Sequence, residues 1–265
     1  MPADVASVFE ERTVETAGQP LRYLEAGTGP ALVYLHGGGG VRPTRAHELL
    51  AEKFRVVLLE QPGFGTEPLA DELNSLPAYA RAVHAAAAAI AGAPFDLIGT
   101  SFGSRVAMSI AAQFPESVQA LVLLSPTVFT PPGFQLPAPG RNIAIPPLLA
   151  HPERSPDGAE PSGPTPEQAA LVRAFVEPRA PDLEAALAAL EVLTLVAFGT
   201  DDQLMPAALG PRYVEANPGI FLTYFFDCGH LIEQERPEAV ANLLGDFFTY
   251  REKYHVGRKD SLLFP

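Results

Sequence analysis

Gly99-Thr100-Ser101-Phe102-Gly103 has the residue types and spacing of a nucleophile held on a turn, because it follows the apolar run Phe95–Ile98 and opens a helix-like stretch ending near Phe114. A serine on a tight strand-to-helix turn needs small residues two positions either side, and Gly99 and Gly103 supply them. In a chain with 22 glycines the same five letters elsewhere would carry little weight. A hydroxyl is a poor nucleophile at neutral pH, so the motif requires a histidine to take its proton and a carboxylate to hold that histidine in the right tautomer. On a turn of this kind both follow the serine, acid first.

Of six histidines, His151, His230 and His255 lie downstream of Ser101. His151 falls in a proline-rich stretch and His255 in a charged tail, whereas His230 sits in Asp227-Cys228-Gly229-His230, between an apolar run and a helix-like stretch. His230 is therefore the expected base. The acid is expected after the apolar run Leu193–Phe198, where Asp201 and Asp202 stand side by side and their position alone does not separate them. Hydrolysis also needs N–H groups aimed at the developing oxyanion, one from the residue after the nucleophile and one from a loop after an earlier strand. Phe102 offers the first. The second is expected from His36-Gly37-Gly38-Gly39-Gly40, at Gly38, with Gly39 as the alternative. This glycine run lacks the Gly-Lys-Ser/Thr ending of a phosphate loop and does not read Gly-x-Gly-x-x-Gly.

These groups must be positioned by the elements around them. Short apolar runs at Ala31–Leu35, Val56–Leu59, Phe95–Ile98, Leu121–Leu124, Leu193–Phe198 and Ile220–Phe226 read as buried strands. Helix-like stretches at Arg45–Lys53, Ala78–Ala91, Phe102–Phe114, Ala207–Ala216 and Pro237–Tyr250 alternate with them, the pattern of a mostly parallel sheet with helices on both faces. The segments Phe9–Thr16 and Leu21–Glu25 predict an antiparallel hairpin at one edge. Between Pro126 and Pro181 lie 14 of the 28 prolines and almost no strand pattern. That region reads as an insertion, residues 126–181, between core residues 1–125 and 182–265. It is expected to form a looped lid rather than a disordered linker, because Phe129, Phe134, Ile143, Ile145, Leu148 and Leu149 give it apolar residues to dock. Helices are expected in it at Pro166–Val176 and Pro181–Leu190.

Composition narrows the function classes. The chain has 265 residues, 47% of them hydrophobic and 18% charged, which supports one large core. A net charge of −13 repels nucleic acid and anionic lipid, leaving a small molecule as the expected partner. The single cysteine, Cys228, excludes an internal disulfide and multi-cysteine zinc sites. With neither an export signal nor a long apolar run, a cytoplasmic location is expected.

The chain resembles the α/β-hydrolase superfamily from about Leu21 to Tyr250, on the elbow at Ser101, the glycine loop after His36, the turn Glu60-Gln61-Pro62-Gly63-Phe64-Gly65, and the loop Gly199-Thr200-Asp201-Asp202-Gln203-Leu204-Met205-Pro206. The superfamily's pattern in the last loop, Gly-x-x-Asp-x-x-x-Pro, implies that Asp202 is the acid and that Asp201 caps or solvates the loop. Its alternative acid position, after Leu121–Leu124, holds Ser125-Pro126 and no carboxylate. His36 and the Glu60 turn are implied to be structural. Ser104 departs from the family pattern, since many relatives carry a second glycine there. The resemblance implies an α/β-hydrolase fold and a hydrolase needing no cofactor and no metal, acting on a carboxylic ester or related acyl compound. The four-glycine run also resembles carbon–carbon (meta-cleavage product) hydrolases; a cofactor-free perhydrolase or a slow ligand-binding receptor would keep the same residues. Serine at position 101 argues against a haloalkane dehalogenase. Arg42 and Arg45 follow the glycines as candidates for a substrate carboxylate, or as solvated residues at a helix start.

Overall fold

The computed structural model describes residues 8–16, 19–138, 145–155, 164–176 and 180–251. Eight strands form one sheet: β1 (Glu10–Thr16), β2 (Gln19–Ala26), β3 (Ala31–Leu35), β4 (Arg55–Leu59), β5 (Phe95–Thr100), β6 (Val118–Leu124), β7 (Thr194–Gly199) and β8 (Phe221–Phe225). Their order is β1-β2-β4-β3-β5-β6-β7-β8. β1 and β2 form the expected antiparallel edge hairpin, β2 is antiparallel to β4, and β4 through β8 run parallel. The helices are α1 (Arg45–Ala51), α2 (Leu76–Ala91), α3 (Phe102–Gln113), α4 (Pro166–Val176), α5 (Pro181–Ala188), α6 (Gly210–Ala216), α7 (Ile232–Glu235) and α8 (Pro237–Tyr250).

The central strands are continuous apolar runs because both of their faces are covered. Val33 and Leu35 of β3 pack with Tyr79 and Val83 of α2 and Val106 of α3. Their neighbours Leu32 and Tyr34 pack with Leu50 of α1 and Leu244 and Phe248 of α8. The alanines of α2 have a packing role: Ala86 and Ala87 are fully buried, and their small side chains let the helix approach the sheet.

Most elements fall where the sequence puts them, with one instructive shift. The helix expected from Ala207 begins as a 3-10 turn over Ala207–Leu209, and α6 starts only at Gly210. Pro211 explains this, since its fixed φ and missing N–H suit the first turn of a helix and no later position. Of the two helices expected around the region 126–181, α4 spans the expected residues and α5 starts at Pro181 but ends at Ala188 rather than Leu190; Phe129 and Leu149 are buried, Ile145 is exposed, and Ile143 lies outside the described residues. Among the described residues, no helix is long and apolar enough to cross a membrane.

Candidate active site

Parallel register brings the chemistry to one edge. Leu35 pairs with Gly99, Thr100 with Leu124, Leu124 with Ala197 and Gly199 with Phe225, so the loops after β3, β5, β6, β7 and β8 leave the sheet side by side at its carboxyl end. In open α/β sheets that is where ligands bind.

Ser101 sits at φ 51°, ψ −116°, a region that side-chain-bearing residues rarely occupy. The turn is tight enough that a Cβ on Gly99 would lie 2.5 Å from the Gly103 carbonyl, and one on Gly103 would lie 2.2 Å from the Leu35 carbonyl. Both contacts are with backbone, so only glycine fits either position. The Ser101 carbonyl accepts hydrogen bonds from the Ser104 hydroxyl and, at 3.0 Å, from the Thr127 hydroxyl, while the Thr127 N–H donates to Ser104 Oγ at 3.0 Å. Ser104 thus ties the strained turn to the chain after β6.

The structure brings His230 and Asp202 to Ser101. His230 Nε2 lies 2.9 Å from Ser101 Oγ, and Nδ1 lies 2.7 Å from Asp202 Oδ2. Donation from Nδ1–H to the carboxylate leaves the Nε2 lone pair facing the serine hydroxyl. The other carboxylate oxygen of Asp202 accepts the N–H groups of Leu204 and Met205, each at 2.8 Å. Asp201 points elsewhere: its exposed carboxylate accepts from the Thr200 hydroxyl and the Cys228 N–H, joining two loops. Burial pulls the His230 pKa down, but the charge and hydrogen bond of Asp202 and the charge of Glu233 more than offset it, leaving the imidazole above its ordinary value. His255 lies outside the described residues, and His151 bonds to Asp227 and Glu153, away from Ser101.

Several supports of His230 are not legible in any motif. Its carbonyl accepts the Ser125 hydroxyl at 2.8 Å, so the position without a carboxylate after β6 holds the histidine backbone instead. Its N–H donates to the Leu148 carbonyl at 2.7 Å. Glu235 accepts the N–H of Gly229 at 2.6 Å and that of His151 at 2.7 Å. Nearby, Asp227 accepts from both Arg154 and Arg236. The chain from 145 to 155 is thereby bonded directly to the loop that carries His230.

Phe102, first residue of α3, has an N–H with no intrahelical acceptor. Its ring packs with Phe64, Tyr79 and Phe175 of α4, fixing the backbone beneath it. Across from it, the Gly37 backbone abuts Ser101, where an added Cβ would come within 3.2 Å of the serine Cβ, and Gly38 faces Val172 of α4. His36 is buried, accepts the Gln61 N–H at 3.1 Å, and has its pKa lowered by burial to about 4, which keeps it neutral and structural. The Glu60 turn is also structural: Glu60 pairs with Arg22 at 2.6 Å.

These elements enclose a cavity of about 150 Å³, a volume of the order that accommodates one aromatic ring. Ser101, His230 and the glycine loop 37–40 line it on the sheet side, and Leu136, Ile145, Leu148 and Val172 line it from the region 126–181. Arg42 is among the residues that line it, whereas Arg45 is paired with Glu48 at 2.8 Å. Among the described residues, no cluster of side chains is suited to hold a metal ion.

The Alpha/beta hydrolase family model matches residues 32–243. The chain is 26% identical over 271 residues to 2-hydroxy-6-oxo-6-phenylhexa-2,4-dienoate hydrolase of Comamonas testosteroni, covering 87% of this chain and 92% of that one. It is 39% identical over 107 residues to pimeloyl-[acyl-carrier protein] methyl ester esterase of Aeromonas hydrophila, covering 37% and 39% of the two chains. Among solved structures, a 2-hydroxy-6-oxo-6-phenylhexa-2,4-dienoate hydrolase from Rhodococcus sp. strain RHA1 superposes with a TM-score of 0.72 at 20% identity, covering 91% of this chain and 99% of that one.

Proposed function

Because the chain belongs to the alpha/beta hydrolase family, we propose that it is a serine hydrolase that cleaves a carboxylic ester or related small acyl compound, with Ser101 as nucleophile, His230 as base and Asp202 as the orienting acid. The observation that carries this reading is the continuous path from Asp202 through His230 to Ser101, at 2.7 and 2.9 Å. His230 Nε2 removes the proton as Ser101 Oγ attacks the substrate carbonyl, and the charge that develops on the carbonyl oxygen is taken up by the N–H groups of Phe102 and Gly38. The same imidazole then protonates the departing alcohol. Water, deprotonated by His230, attacks the acyl-enzyme and releases the acid and the serine. The region 126–181 acts as a cap that shapes the acyl pocket and excludes water from it. Every step uses this chain's own groups, and no cofactor enters.

The nearly full-length similarity to a hydrolase of a dienoate favours a second reading, carbon–carbon cleavage next to a ketone with the same three residues. Turnover of a panel of p-nitrophenyl esters, lactones and vinylogous diketones separates the two. The first reading expects kcat of about 1 s⁻¹ or more on a short-chain ester and fluorophosphonate labelling on Ser101 alone. Absence of labelling at neutral pH would sink both, and kcat far below that range on the whole panel would point to a ligand-binding receptor.

A further inference from the structure

A second carboxylate lines the same cavity, and the serine–histidine chemistry does not use it. Glu233, on α7 three residues after His230, is only 4% exposed and shares the cavity with Tyr34, Thr100, Ser101 and His230. Its Oε1 accepts a hydrogen bond from the Tyr34 hydroxyl at 2.7 Å. That phenol is itself buried and held edge-on against the His47 ring at 4.3 Å, so it fixes where the carboxylate sits. The other oxygen, Oε2, is buried and has no hydrogen-bond partner among the described residues. A buried carboxylate oxygen without a donor is strongly disfavoured, and proteins retain such a group where something else supplies the donor. The part of the lining that comes from Leu136, Leu148 and Val172 is apolar. A substrate placed with its apolar part on those residues can reach Glu233, the one carboxylate among the described residues that line the cavity.

We propose that Glu233 is a specificity-determining residue whose Oε2 accepts a hydrogen bond from a donor on the substrate, a hydroxyl or an ammonium group. This rests on the reading of Ser101 and His230 given above. The groups facing Glu233 are the hydroxyls of Tyr34 from β3 and Thr100 from the end of β5, and His230, which acts on it through charge when protonated. Burial raises the Glu233 pKa above the ordinary carboxylate value, and the Tyr34 hydroxyl, its own backbone N–H, His230 and the Thr100 hydroxyl oppose that rise only in part.

Phenylboronic acids, which add reversibly to an activated serine and carry one ring, provide the test. Three isosteres substituted at the meta or para position, ethyl, hydroxymethyl and aminomethyl, are compared by calorimetric titration of the full chain, of Glu233→Gln and of Glu233→Leu. Native protein is expected to bind the hydroxymethyl or the aminomethyl compound at least tenfold more tightly than the ethyl one; which of the two leads identifies an alcohol or an amine as the donor. Glu233→Leu should lose both preferences, and Glu233→Gln the aminomethyl preference, since a neutral amide no longer attracts the cation. Equal binding of all three compounds by native protein whose Ser101 reacts with a fluorophosphonate would overturn the proposal. So would an aminomethyl preference that survives in Glu233→Gln, or either preference surviving in Glu233→Leu. If Ser101 is unreactive and no boronate binds, the underlying reading fails first and this one with it.

Discussion

Asp201 and Asp202 are adjacent in sequence, yet they are expected to differ by orders of magnitude when each is changed to asparagine. Asp202 Oδ2 lies 2.7 Å from His230 Nδ1, with both side chains almost wholly withdrawn from water. In the proposed mechanism His230 becomes an imidazolium in the transition state, and a carboxylate about 4 Å from its charge centre is worth about 4 kcal/mol at an effective dielectric near 20. That alone is a factor of about 10³. Asparagine adds a second loss. Its acceptor oxygen satisfies the Leu204 and Met205 N–H groups as Oδ1 does now, which turns the amide NH2 toward Nδ1. The imidazole then accepts at Nδ1, carries its proton on Nε2, and has no lone pair for the serine proton. The expected loss in kcat is about 10⁴, as in the serine-protease precedent for a mis-set tautomer. Asp201→Asn keeps an oxygen for the Cys228 N–H on an exposed loop and should cost within about 0.5 kcal/mol, a factor of about two. Stopped-flow and steady-state ester hydrolysis by the two variants, each shown to be folded by circular dichroism, is the assay. Equal losses, or the larger loss at Asp201, would refute the assignment.

Three further expectations follow from the same geometry. Because the His230 pKa is raised and the proposed mechanism needs its neutral form, the acid limb of kcat/KM should lie above 6.5, and Glu233→Gln should move it to lower pH by removing a nearby negative charge; a native limb at or below 6.5, or no movement, contradicts this. His36 and His47 are buried neutral, with pKa values lowered to about 4 and about 3, so the unfolded chain binds more protons below its histidine value of 6.5. Stability should therefore fall as pH drops below 6.5, by on the order of 3 kcal/mol between pH 7 and pH 5 from the two together, and a urea midpoint that stays constant over that range would contradict it. Gly103→Ala should be severe, since its Cβ would lie 2.2 Å from the Leu35 carbonyl, while Gly245→Ala in α8 meets nothing within 4 Å. Thermal unfolding should show the first lowering stability by about 3 kcal/mol or more and the second raising it by up to about 1 kcal/mol; similar shifts in both would show that the elbow is less tightly packed than described.

The fold was legible in the sequence because a parallel sheet covered on both faces writes its strands as short apolar runs punctuated by glycine, proline and charge. The elbow was legible for a related reason: Gly99 and Gly103 are forced by backbone contacts within five residues of chain and the strand beside it. Asp202 was not separable from Asp201 on position alone, since the two differ only in which way a loop turns them, and the family pattern was needed to choose. Glu233 and Tyr34 were hidden. Tyr34 lies in one more buried strand run and Glu233 between the loop of His230 and the helix-like stretch from Pro237, neither carrying a motif, and only a contact across 199 positions joins them. Arg105 is similar: it sits mid-helix in the sequence but donates to the carbonyls of Thr127 and Phe175, binding α3 to the chain around both. Such contacts depend on tertiary neighbours that no local pattern encodes.

The Leu148 carbonyl that receives the His230 N–H limits how this enzyme can be remodelled, by engineers or by evolution. A cap that merely rested on the sheet would be an exchangeable part, free to be transplanted from a relative to bring a new substrate with it. Here the stretch from 145 to 155 also holds the backbone of His230, the base of the proposed mechanism. A chimaera that swaps the whole region 126–181 inherits a new pocket and loses the strut under the imidazole in one stroke. Substrate range is more freely varied through side chains such as Val172 and Leu136, which touch the cavity without holding the histidine in place.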